Sequence, residues 1–440
     1  MMLPVLDKGF IPAIVWVKNF LKTAAKPVCL AIERENGFIY RYDTRIGENT
    51  QDNELYIERL VKMLLWAVGG FRVYIDDEDM AQYIGQRYSA DGLRAFDRQF
   101  IQRVYESRFE VIYREDIPEP KSNAIAVGRN LTGNRIGFDA GGSDMKVSAV
   151  KDGEVIYSEE IVWHPKINDD PEYHYGNIER AIAMGVDKLE GKLDAIGVSS
   201  AGIFVANRAM VASLFIRIPQ EVFDERIKDI YINIARGFGA PVTVANDGDV
   251  AALAGSICLK KNGVLGVAMG TSLAAGYIDN DGNITGWLNE LAFTPVDYNP
   301  AAARDEWSGD FGVGSKYFSQ DAVIRLAPMA GIELGDELSP AEKLKSVQKL
   351  LGENHSGARE IFETIGVYFG YAIAYYAEFY DISFLQVLGR VTSGAGGDII
   401  ISKANEVLDT EFPEIASKTT IYVPDEYERR VGQSIAAASL

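Results

Sequence analysis

Residues 136–144 read IGFDAGGSD, an apolar strand that runs directly into a glycine turn. The same pattern returns at residues 263–272, which read GVLGVAMGTS. An Asp-Gly hairpin signal follows each turn at the same distance, because Asp152 lies 11 positions after Gly141 and Asp281 lies 11 positions after Gly270. We therefore predict two similar units, each beginning with a strand, a glycine turn, a strand, an Asp-Gly turn and a strand.

The two glycine turns have the character of phosphate sites. Such turns expose backbone N–H groups and let a ligand approach the main chain closely. A hydroxyl residue follows glycine in both, Ser143 in the first turn and Thr271 in the second. Ordinary hairpins would explain the Asp-Gly signals but not these hydroxyl groups. We favour the interpretation that the turns face each other across a cleft and hold the two ends of a polyphosphate.

A polar cluster separates the two units. Residues 242–255 read VTVANDGDVAALAG, an alternating strand that ends in polar residues and opens a helix of small residues. Asp247 stands at the strand-to-helix junction, where ligands collect in α/β folds. A carboxylate there can accept a proton from a substrate hydroxyl, and phosphoryl transfer needs little else beyond positioning and charge stabilisation. A helix N-cap formed by Asp247 or Asp249 explains the cluster equally well at this point.

Composition restricts the classes of partner. The chain has 440 residues, enough for about three compact units. Its 44 basic and 63 acidic residues give a net charge of −19, which disfavours nucleic acid and anionic membranes as partners. The two cysteines, Cys29 and Cys258, are too few for a disulfide framework and are typical of a reducing compartment. The start shows no secretory pattern and no apolar run is long enough to span a membrane, so we expect a cytoplasmic protein.

The chain before residue 123 reads as a small α/β module. A hairpin is predicted around Asn36-Gly37, a helix that ends at Gly69-Gly70, and a further helix over residues 93–108 between two short strands. Residues 116–123 form a Pro-containing linker. No helix is rich in Lys and Arg, which disfavours a DNA-binding head and leaves a structural or oligomerisation role as the default.

We divide the chain accordingly. The predicted units are the module at 1–123, a first lobe at 124–255 and a second lobe at 256–427.

The ordered set of motifs resembles a known family. Asp139-Ala140-Gly141-Gly142-Ser143, then Asn246-Asp247, then Gly270-Thr271, then Leu388-Gly389 is similar to the ROK family of sugar kinases, repressors and related proteins. The resemblance covers about residues 134–440 and implies that a C-terminal helix at about 428–440 returns to the first lobe. It implies an α/β fold in which duplicated actin-like, hexokinase-type (ribonuclease H-like) lobes surround a central cleft, preceded here by the N-terminal α/β module.

The resemblance also implies roles for individual residues. Asp247 would be the catalytic base, and Asn246 and Glu290 would bind the sugar. Asp139 would approach the Mg²⁺ of the nucleotide through water. The residues implied at the phosphates and the adenosine are Gly141, Gly142, Ser143, Gly270, Thr271, Gly389 and Arg390. Because a net charge of −19 does not attract ATP, phosphate affinity must be local, and Lys146 and Arg390 are the candidate cations.

Departures from the family pattern are equally specific. Phe293 stands where members commonly carry a histidine before a cysteine-rich zinc loop, and no cysteine lies nearby, so zinc is not expected. Arg390 stands where glycine is usual in the adenosine turn, and a large cation there either binds phosphate or obstructs the nucleotide. The second phosphate turn is also poorer in glycine, with Leu273-Ala274-Ala275 before Gly276.

These features predict an ATP-dependent carbohydrate kinase that uses Mg²⁺ and transfers the γ-phosphate to a sugar hydroxyl. The alternative is a non-catalytic sugar- or nucleotide-binding regulatory protein of the same fold. A DNA-binding repressor is disfavoured by the charge and by the missing helix-turn-helix. The expected partners are a sugar and a nucleotide, with neither nucleic acid nor membrane, and the resemblance implies a homodimer.

Overall fold

The computed structural model describes residues 1–122, 128–424 and 426–440, and for residues 426–431 it describes the backbone alone. The predicted boundary at residues 123 and 124 lies outside the described residues. Within the described ranges, no helix combines the length and the apolar character that a membrane crossing requires.

The N-terminal module (residues 1–122) is a sheet in the order β2-β1-β3-β4 with helices packed on it. The predicted hairpin is confirmed, and Asn36 and Gly37 at its tip have φ angles of 58° and 69°. The predicted helix ending at Gly69-Gly70 is also present. The module's elements are α1 (Ala13–Leu21), β1 (Lys26–Glu33), β2 (Ile39–Ile46), α2 (Thr50–Ala67), β3 (Arg72–Ile75), α3 (Glu78–Arg87), α4 (Ala95–Tyr105) and β4 (Glu110–Tyr113).

The first lobe (residues 134–259) is built on a sheet in the order β11-β8-β5-β6-β7. Strands β5, β8 and β11 are parallel, and β5, β6 and β7 are joined as antiparallel neighbours. The elements are β5 (Asn134–Ala140), β6 (Asp144–Lys151), β7 (Glu154–Val162), α5 (Pro171–Lys188), β8 (Ala195–Ser200), β9 (Ile203–Val205), β10 (Arg208–Val211), α6 (Gln220–Val222), α7 (Ile230–Gly237), β11 (Val242–Asn246) and α8 (Asp247–Leu259).

The second lobe (residues 264–424) repeats this plan with a sheet in the order β13-β12-β14-β15. Its elements are β12 (Val264–Met269), β13 (Leu273–Ile278), α9 (Gln320–Leu326), α10 (Pro340–Gly352), α11 (Ser356–Tyr376), β14 (Phe384–Leu388), α12 (Ala395–Glu411), α13 (Pro413–Ala416) and β15 (Thr420–Tyr422). The C-terminal helix is α14 (Glu426–Ala438).

The sheet orders explain the internal repeat. In each lobe a first strand pairs antiparallel with the strand after its glycine turn and parallel with a later strand. The predicted succession of three strands joined by a glycine turn and an Asp-Gly turn is complete in the first unit, where β7 is the third strand. It is wrong in one detail for the second unit, because only a bridge between Ile278 and Ile284 forms there and the chain then leaves the sheet.

Two glycines let the C-terminal helix lie directly against the first-lobe sheet. A Cβ atom built on Gly137 would lie 2.2 Å from the carbonyl oxygen of Ser434. One built on Gly197 would lie 1.7 Å from the carbonyl oxygen of Ala437. Only glycine permits backbones to approach this closely, so α14 contacts β5 and β8 through the main chain.

The module and the second lobe are joined through one hydrophobic core. Buried residues of α2, including Leu60 and Leu64, belong to the same contiguous cluster as Phe369 and Tyr376 of α11. The first lobe has a separate cluster around Phe138. The module is therefore packed onto the second lobe rather than suspended from a linker.

Candidate active site

Asp139 lies near the carboxyl end of β5, beside the first glycine turn. Burial raises the pKa of its carboxyl group to about 6, against the hydrogen bond that it accepts from Ser199. Ser199 Oγ donates to Asp139 Oδ1 at 2.6 Å, and Gln433 Nε2 donates to the same oxygen at 3.3 Å. The second carboxylate oxygen makes no direct hydrogen bond to the described residues, which suits a water-mediated contact.

Side-chain hydrogen bonds from neighbouring residues fix the Gly141-Gly142-Ser143 turn. The indole Nε1 of Trp163 donates to the carbonyl of Gly141 at 2.8 Å, and Ser143 Oγ donates to Asp144 Oδ2 at 2.7 Å. Lys146 stands opposite Asp139 in the β5–β6 register and forms an ion pair with Glu160 at 3.8 Å. Lys146 therefore lies beside the turn, with its charge partly engaged.

Lys166 is the cation that sequence reasoning missed. It lies in the short 3₁₀ helix Pro165–Ile167 after β7, and its side chain is exposed. A Cβ atom built on Gly142 would lie 3.1 Å from Lys166 Nζ, so the ammonium group lies over the turn. Its charge also acts on Asp247, where it opposes the rise in pKa. The signal that could have found it is weak: a lone lysine after a proline.

Asn246 is the N-cap of α8, the role that the sequence had offered to Asp247 or Asp249. Its Oδ1 accepts from the N–H of Gly248 at 2.7 Å, and its Nδ2 donates to the carbonyl of Gly202 at 2.7 Å. The amide is thereby fixed at the strand-to-helix junction, with a second N–H on Nδ2 available to a ligand. The alternative in which Asp247 or Asp249 caps the helix is therefore wrong, because the asparagine supplies the cap.

Asp247 begins α8 with a partly exposed carboxylate. Burial raises the pKa of this group, and the N–H of Gly248, 3.0 Å from Oδ1, opposes that rise. The charge of Asp247 in turn raises the pKa of Asp139. A buried carboxylate whose pKa is raised by burial and by the charge of a second carboxylate in the same cleft is a recognised mark of a functional site.

Asp249 is a second group that the sequence reading set aside. Its Oδ1 accepts from the N–H of Tyr277 at 3.1 Å and from Asn289 Nδ2 at 2.9 Å. Asn289 Oδ1 accepts from the hydroxyl of Tyr380 at 3.1 Å. Burial raises the pKa of Asp249 to about 7. This chain of hydrogen bonds connects α8 to the segment that carries Glu290.

Glu290 lies in that segment, directly after Asn289. Burial, together with the charges of Asp247 and Asp249, raises the pKa of its carboxyl group to about 7. No described residue donates a hydrogen bond to this carboxylate. Hydroxyl groups of a ligand are donors of the right kind for it.

The second glycine turn and the adenosine turn belong to the second lobe. Gly270 accepts from the N–H of Gln320 at 2.9 Å, at the start of α9, and Thr271 is exposed. Gly389 has a φ of 104°, and a Cβ there would lie 2.2 Å from the carbonyl oxygen of Met269. Arg390 follows with an exposed side chain, and its carbonyl accepts from Gln348 Nε2 at 2.8 Å.

The structure therefore brings some predicted residues together and leaves others apart. Asp139, Asp247 and Glu290 act on one another electrostatically, through Asp247. No described contact joins Gly270, Thr271, Gly389 or Arg390 to that group. Asp139 and Asp247 lie at strand ends of the first lobe and Glu290 on a second-lobe segment, whereas all four residues of the second set belong to turns of the second lobe.

The donor set suits a magnesium–nucleotide complex. Mg²⁺ keeps several waters and binds through one or two carboxylates together with phosphate oxygens. Asp139, with one oxygen engaged by Ser199 and the other turned away from described donors, can provide such a contact. Among the described residues, no group of three or more His, Cys, Asp or Glu side chains is placed to hold a metal ion. Phe293, which stands where family members commonly carry a histidine, packs on Trp66 of α2, with ring centroids 4.3 Å apart.

Comparison with known proteins identifies the family. The model of the ROK family matches residues 135–396. The chain belongs to the ROK family. No protein among the curated sequences is similar enough to match.

Solved structures of ROK proteins confirm the predicted fold class. A ROK family glucokinase from Streptomyces griseus, in complex with glucose and AMPPNP, has 21% identity and a TM-score of 0.50, over 69% of this chain and 98% of that one. A ROK hexokinase from Thermus thermophilus has 15% identity and a TM-score of 0.53, over 69% and 97%. This ROK protein thus has duplicated actin-like, hexokinase-type lobes around a central cleft, with an additional N-terminal α/β module.

The family includes proteins of two kinds. A ROK transcriptional regulator, a homologue of the E. coli MLC protein, has 15% identity to this chain and a TM-score of 0.53, over 70% of this chain and 79% of that one. Membership alone therefore supports a sugar kinase without separating it from a regulator. That distinction must come from the site.

Proposed function

We propose that this ROK protein is an ATP-dependent sugar kinase. The observation that carries the proposal is the position of Asp247, whose partly exposed carboxylate lies at a strand-to-helix junction with Asn246 on one side and the charge of Lys166 on the other. A raised pKa brings a carboxylate closer to the strength that general base catalysis requires near neutral pH.

The proposed reaction is a direct phosphoryl transfer. The sugar hydroxyl loses its proton to Asp247, and its oxygen forms a bond to the γ-phosphorus. The bond from that phosphorus to the β–γ bridging oxygen breaks, and ADP leaves with the electron pair. Asn246 and Glu290 hold neighbouring hydroxyl groups and so orient the attacking oxygen.

The phosphate end is proposed to lie at the first glycine turn. Backbone N–H groups of Gly141, Gly142 and Ser143 and the ammonium group of Lys166 face the transferred phosphate and balance its charge. Magnesium bound with the nucleotide near Asp139 supplies further charge neutralisation at the phosphate oxygens. The turns at Gly270-Thr271 and Gly389-Arg390 are proposed to contact the remainder of the nucleotide from the second lobe.

The test is a coupled ADP-release screen with Mg-ATP over hexoses, amino sugars and N-acylated sugars, run alongside Asp247→Asn. We expect turnover with at least one sugar. The variant should retain sugar affinity and lose at least about 100-fold in phosphorylation rate, because only the proton acceptor has been removed. Unchanged turnover in Asp247→Asn would reject Asp247 as the base.

A non-catalytic regulatory protein is the second candidate, and the exposed Arg390 in the adenosine turn favours it. Calorimetry separates the two proposals. Sugar binding together with Mg-ATP binding supports the kinase. Sugar binding without detectable Mg-ATP binding supports the regulator, and Arg390→Gly then tests whether the guanidinium group obstructs the nucleotide.

A further inference from the structure

The acceptor end of the cleft is enclosed by three parts of the chain. A cavity of about 460 Å³ is lined by Asn246 and Asp249 of the first lobe, by Trp287 of the second-lobe segment, and by Glu35, Asn36 and Tyr105 of the N-terminal module. The module is therefore a wall of the same cavity that reaches the proposed sugar-binding residues. Its part in the cleft is a feature of this chain that motif reading did not predict.

The module also fixes the segment that carries Glu290. The N–H groups of Leu288, Asn289 and Glu290 donate to the carbonyls of Val68, Ala67 and Trp66 at 3.3, 2.9 and 2.9 Å. These carbonyls lie at the end of α2, where a helix has acceptors without partners of its own. The guanidinium group of Arg34 donates to the carbonyl of Gly286 in the same segment. The wall and the catalytic side of the cleft thus form one rigid unit.

Two polar atoms of this wall lack partners. The hydroxyl of Tyr105, a residue only 9% exposed, lies beside the guanidinium group of Arg34 but makes no hydrogen bond of good geometry to the described residues. Glu35 Oε1 accepts from Arg34 Nη2 at 2.9 Å, while Glu35 Oε2 is buried and has no described partner. A buried polar atom without a partner is unfavourable, so a ligand hydroxyl that reaches it is favoured.

Size and charge define the occupant. A cavity of about 460 Å³ is in the range that holds drug-sized ligands, which are larger than a single sugar ring. Its described lining contains the carboxyl groups of Glu35 and Asp249 and no lysine or arginine, and the nearby Arg34 is engaged by Glu35 and by the carbonyl of Gly286, so the lining favours an uncharged ligand over an anionic one. Trp287 and Phe38 supply aromatic faces for the apolar side of a sugar ring.

We propose that Glu35 and Tyr105 of the N-terminal module form a second acceptor subsite, which selects an uncharged sugar that extends beyond the ring held at Asn246, such as a disaccharide. The proposal rests on the proposed function for the position of the first ring. It assigns the module a role in substrate selection, beyond its structural one.

The experiment measures sugar binding to the full chain by calorimetry without nucleotide, together with ADP release. The probes are glucose, mannose and galactose as single rings, maltose, cellobiose and lactose as paired rings, and glucuronate as the anion. We expect the best disaccharide to bind at least about 10-fold more tightly than the best single ring, and glucuronate to bind more weakly than glucose. Glu35→Gln and Tyr105→Phe should each reduce the disaccharide preference about 5- to 10-fold.

The control is Glu48→Gln, which removes the same charge from an exposed position of the same module. It should leave all affinities unchanged. Thermal unfolding of each variant checks the fold, and Tyr105→Phe retains the buried ring if Glu35→Gln proves unstable. Equal binding of single and paired rings, or a preference that survives both variants, overturns the subsite.

The two proposals fail in different ways. Phosphorylation of a single-ring sugar that is indifferent to Glu35 and Tyr105 overturns the subsite and leaves the kinase intact. Selective binding of a disaccharide without ADP release supports the subsite and rejects the kinase. Absence of binding by every probe overturns the subsite and leaves the kinase to be decided by the wider screen, which includes amino sugars and N-acylated sugars.

Discussion

Arg59 and Asp310 are 251 positions apart in the chain and form a bidentate ion pair in its interior, with Nη1–Oδ2 and Nη2–Oδ1 distances of 2.8 and 3.1 Å. Arg59 belongs to α2 of the module and Asp310 to a second-lobe loop. Lys62 Nζ and Arg94 Nη1 lie 3.3 and 2.8 Å from the same carboxylate. This pairing joins the module to the second lobe through charge as well as through apolar contact.

The first prediction concerns that junction. Asp310→Asn removes one of the three buried carboxylates, with Glu58 and Asp97, that pair with Arg59, Lys62 and Arg94, and so leaves one buried positive charge in excess. Such losses typically cost about 3–5 kcal/mol. We expect urea unfolding at pH 7 to show a decrease of this order. The control Glu406→Gln breaks the exposed pair with Lys403 and should change the free energy of unfolding by less than about 1 kcal/mol.

The dependence of folding stability on pH provides a second test of the ion pairs at Asp310. Burial opposes ionisation of Asp310, but the charges of Lys62, Arg59 and Arg94 hold its pKa well below its usual range. The stability from this group is therefore complete above the unfolded-state pKa of about 4 and is lost as the pH falls towards the folded-state pKa. Asp310→Asn should flatten the loss of stability below about pH 4. If the variant and the wild type lose stability equally below about pH 4, the lowered pKa of Asp310 is contradicted.

The second prediction concerns Lys166. Lys166→Met removes the ammonium group over Gly142 and keeps the length of the side chain. We expect the KM for Mg-ATP to rise about 10-fold, because a charge-assisted hydrogen bond to phosphate is lost, while sugar affinity is retained. Steady-state kinetics with varied ATP is the measurement. Lys151→Ala, at an exposed position of the same lobe, is the control and should leave KM unchanged.

The third prediction is the pH profile of turnover. The base must be ionised, and burial raises the pKa of Asp247, so the pH at which kcat/KM rises should lie above the usual pKa of an aspartate. Since the charge of Lys166 opposes that rise, Lys166→Met should move the rising limb to higher pH. The profile is measured from about pH 5 to 9. A limb that stays in place, or moves to lower pH, would show that Lys166 does not act on the base.

Local signals explain what the sequence could predict. The strand ends at Asp139 and Asp247 are marked by glycine and small residues next to them, so their places follow from short stretches. Lys166 and Asp249 gained their positions from contacts with Gly142 and Asn289, which no local pattern records. The junction of Arg59 with Asp310 was equally invisible, because tertiary packing alone brings the two residues together.

The same limit applies to the second repeat. Asp281-Gly282 resembles the first Asp-Gly turn, yet the third strand is replaced by a single bridge at Ile284. The chain turns instead towards α2, where Glu290 and its neighbours pair with helix carbonyls. A turn signal predicts the turn, whereas the path after it depends on which surface has unpaired acceptors.

The last prediction separates stability from function at Glu290. Burial, with the charges of Asp247 and Asp249, raises the pKa of this carboxyl group from 4.5 to about 7. The folded state therefore holds the proton more tightly, and stability falls as the pH rises from about 4.5 to 7. Above pH 7 the cost of the buried charge is complete.

Glu290→Gln should thus be more stable than the wild type at pH 8, by about 2 kcal/mol after allowance for solvent screening, and nearly equal to it at pH 5. Sugar affinity should fall, because a neutral amide is a weaker acceptor for the ligand hydroxyl than a carboxylate. Urea unfolding at the two pH values and calorimetry with the sugar found in the screen are the measurements, with Glu48→Gln as the exposed control. If the free energy of unfolding of Glu290→Gln at pH 8 equals that of the wild type, ionised Glu290 does not destabilise the folded state. That result would contradict its raised pKa.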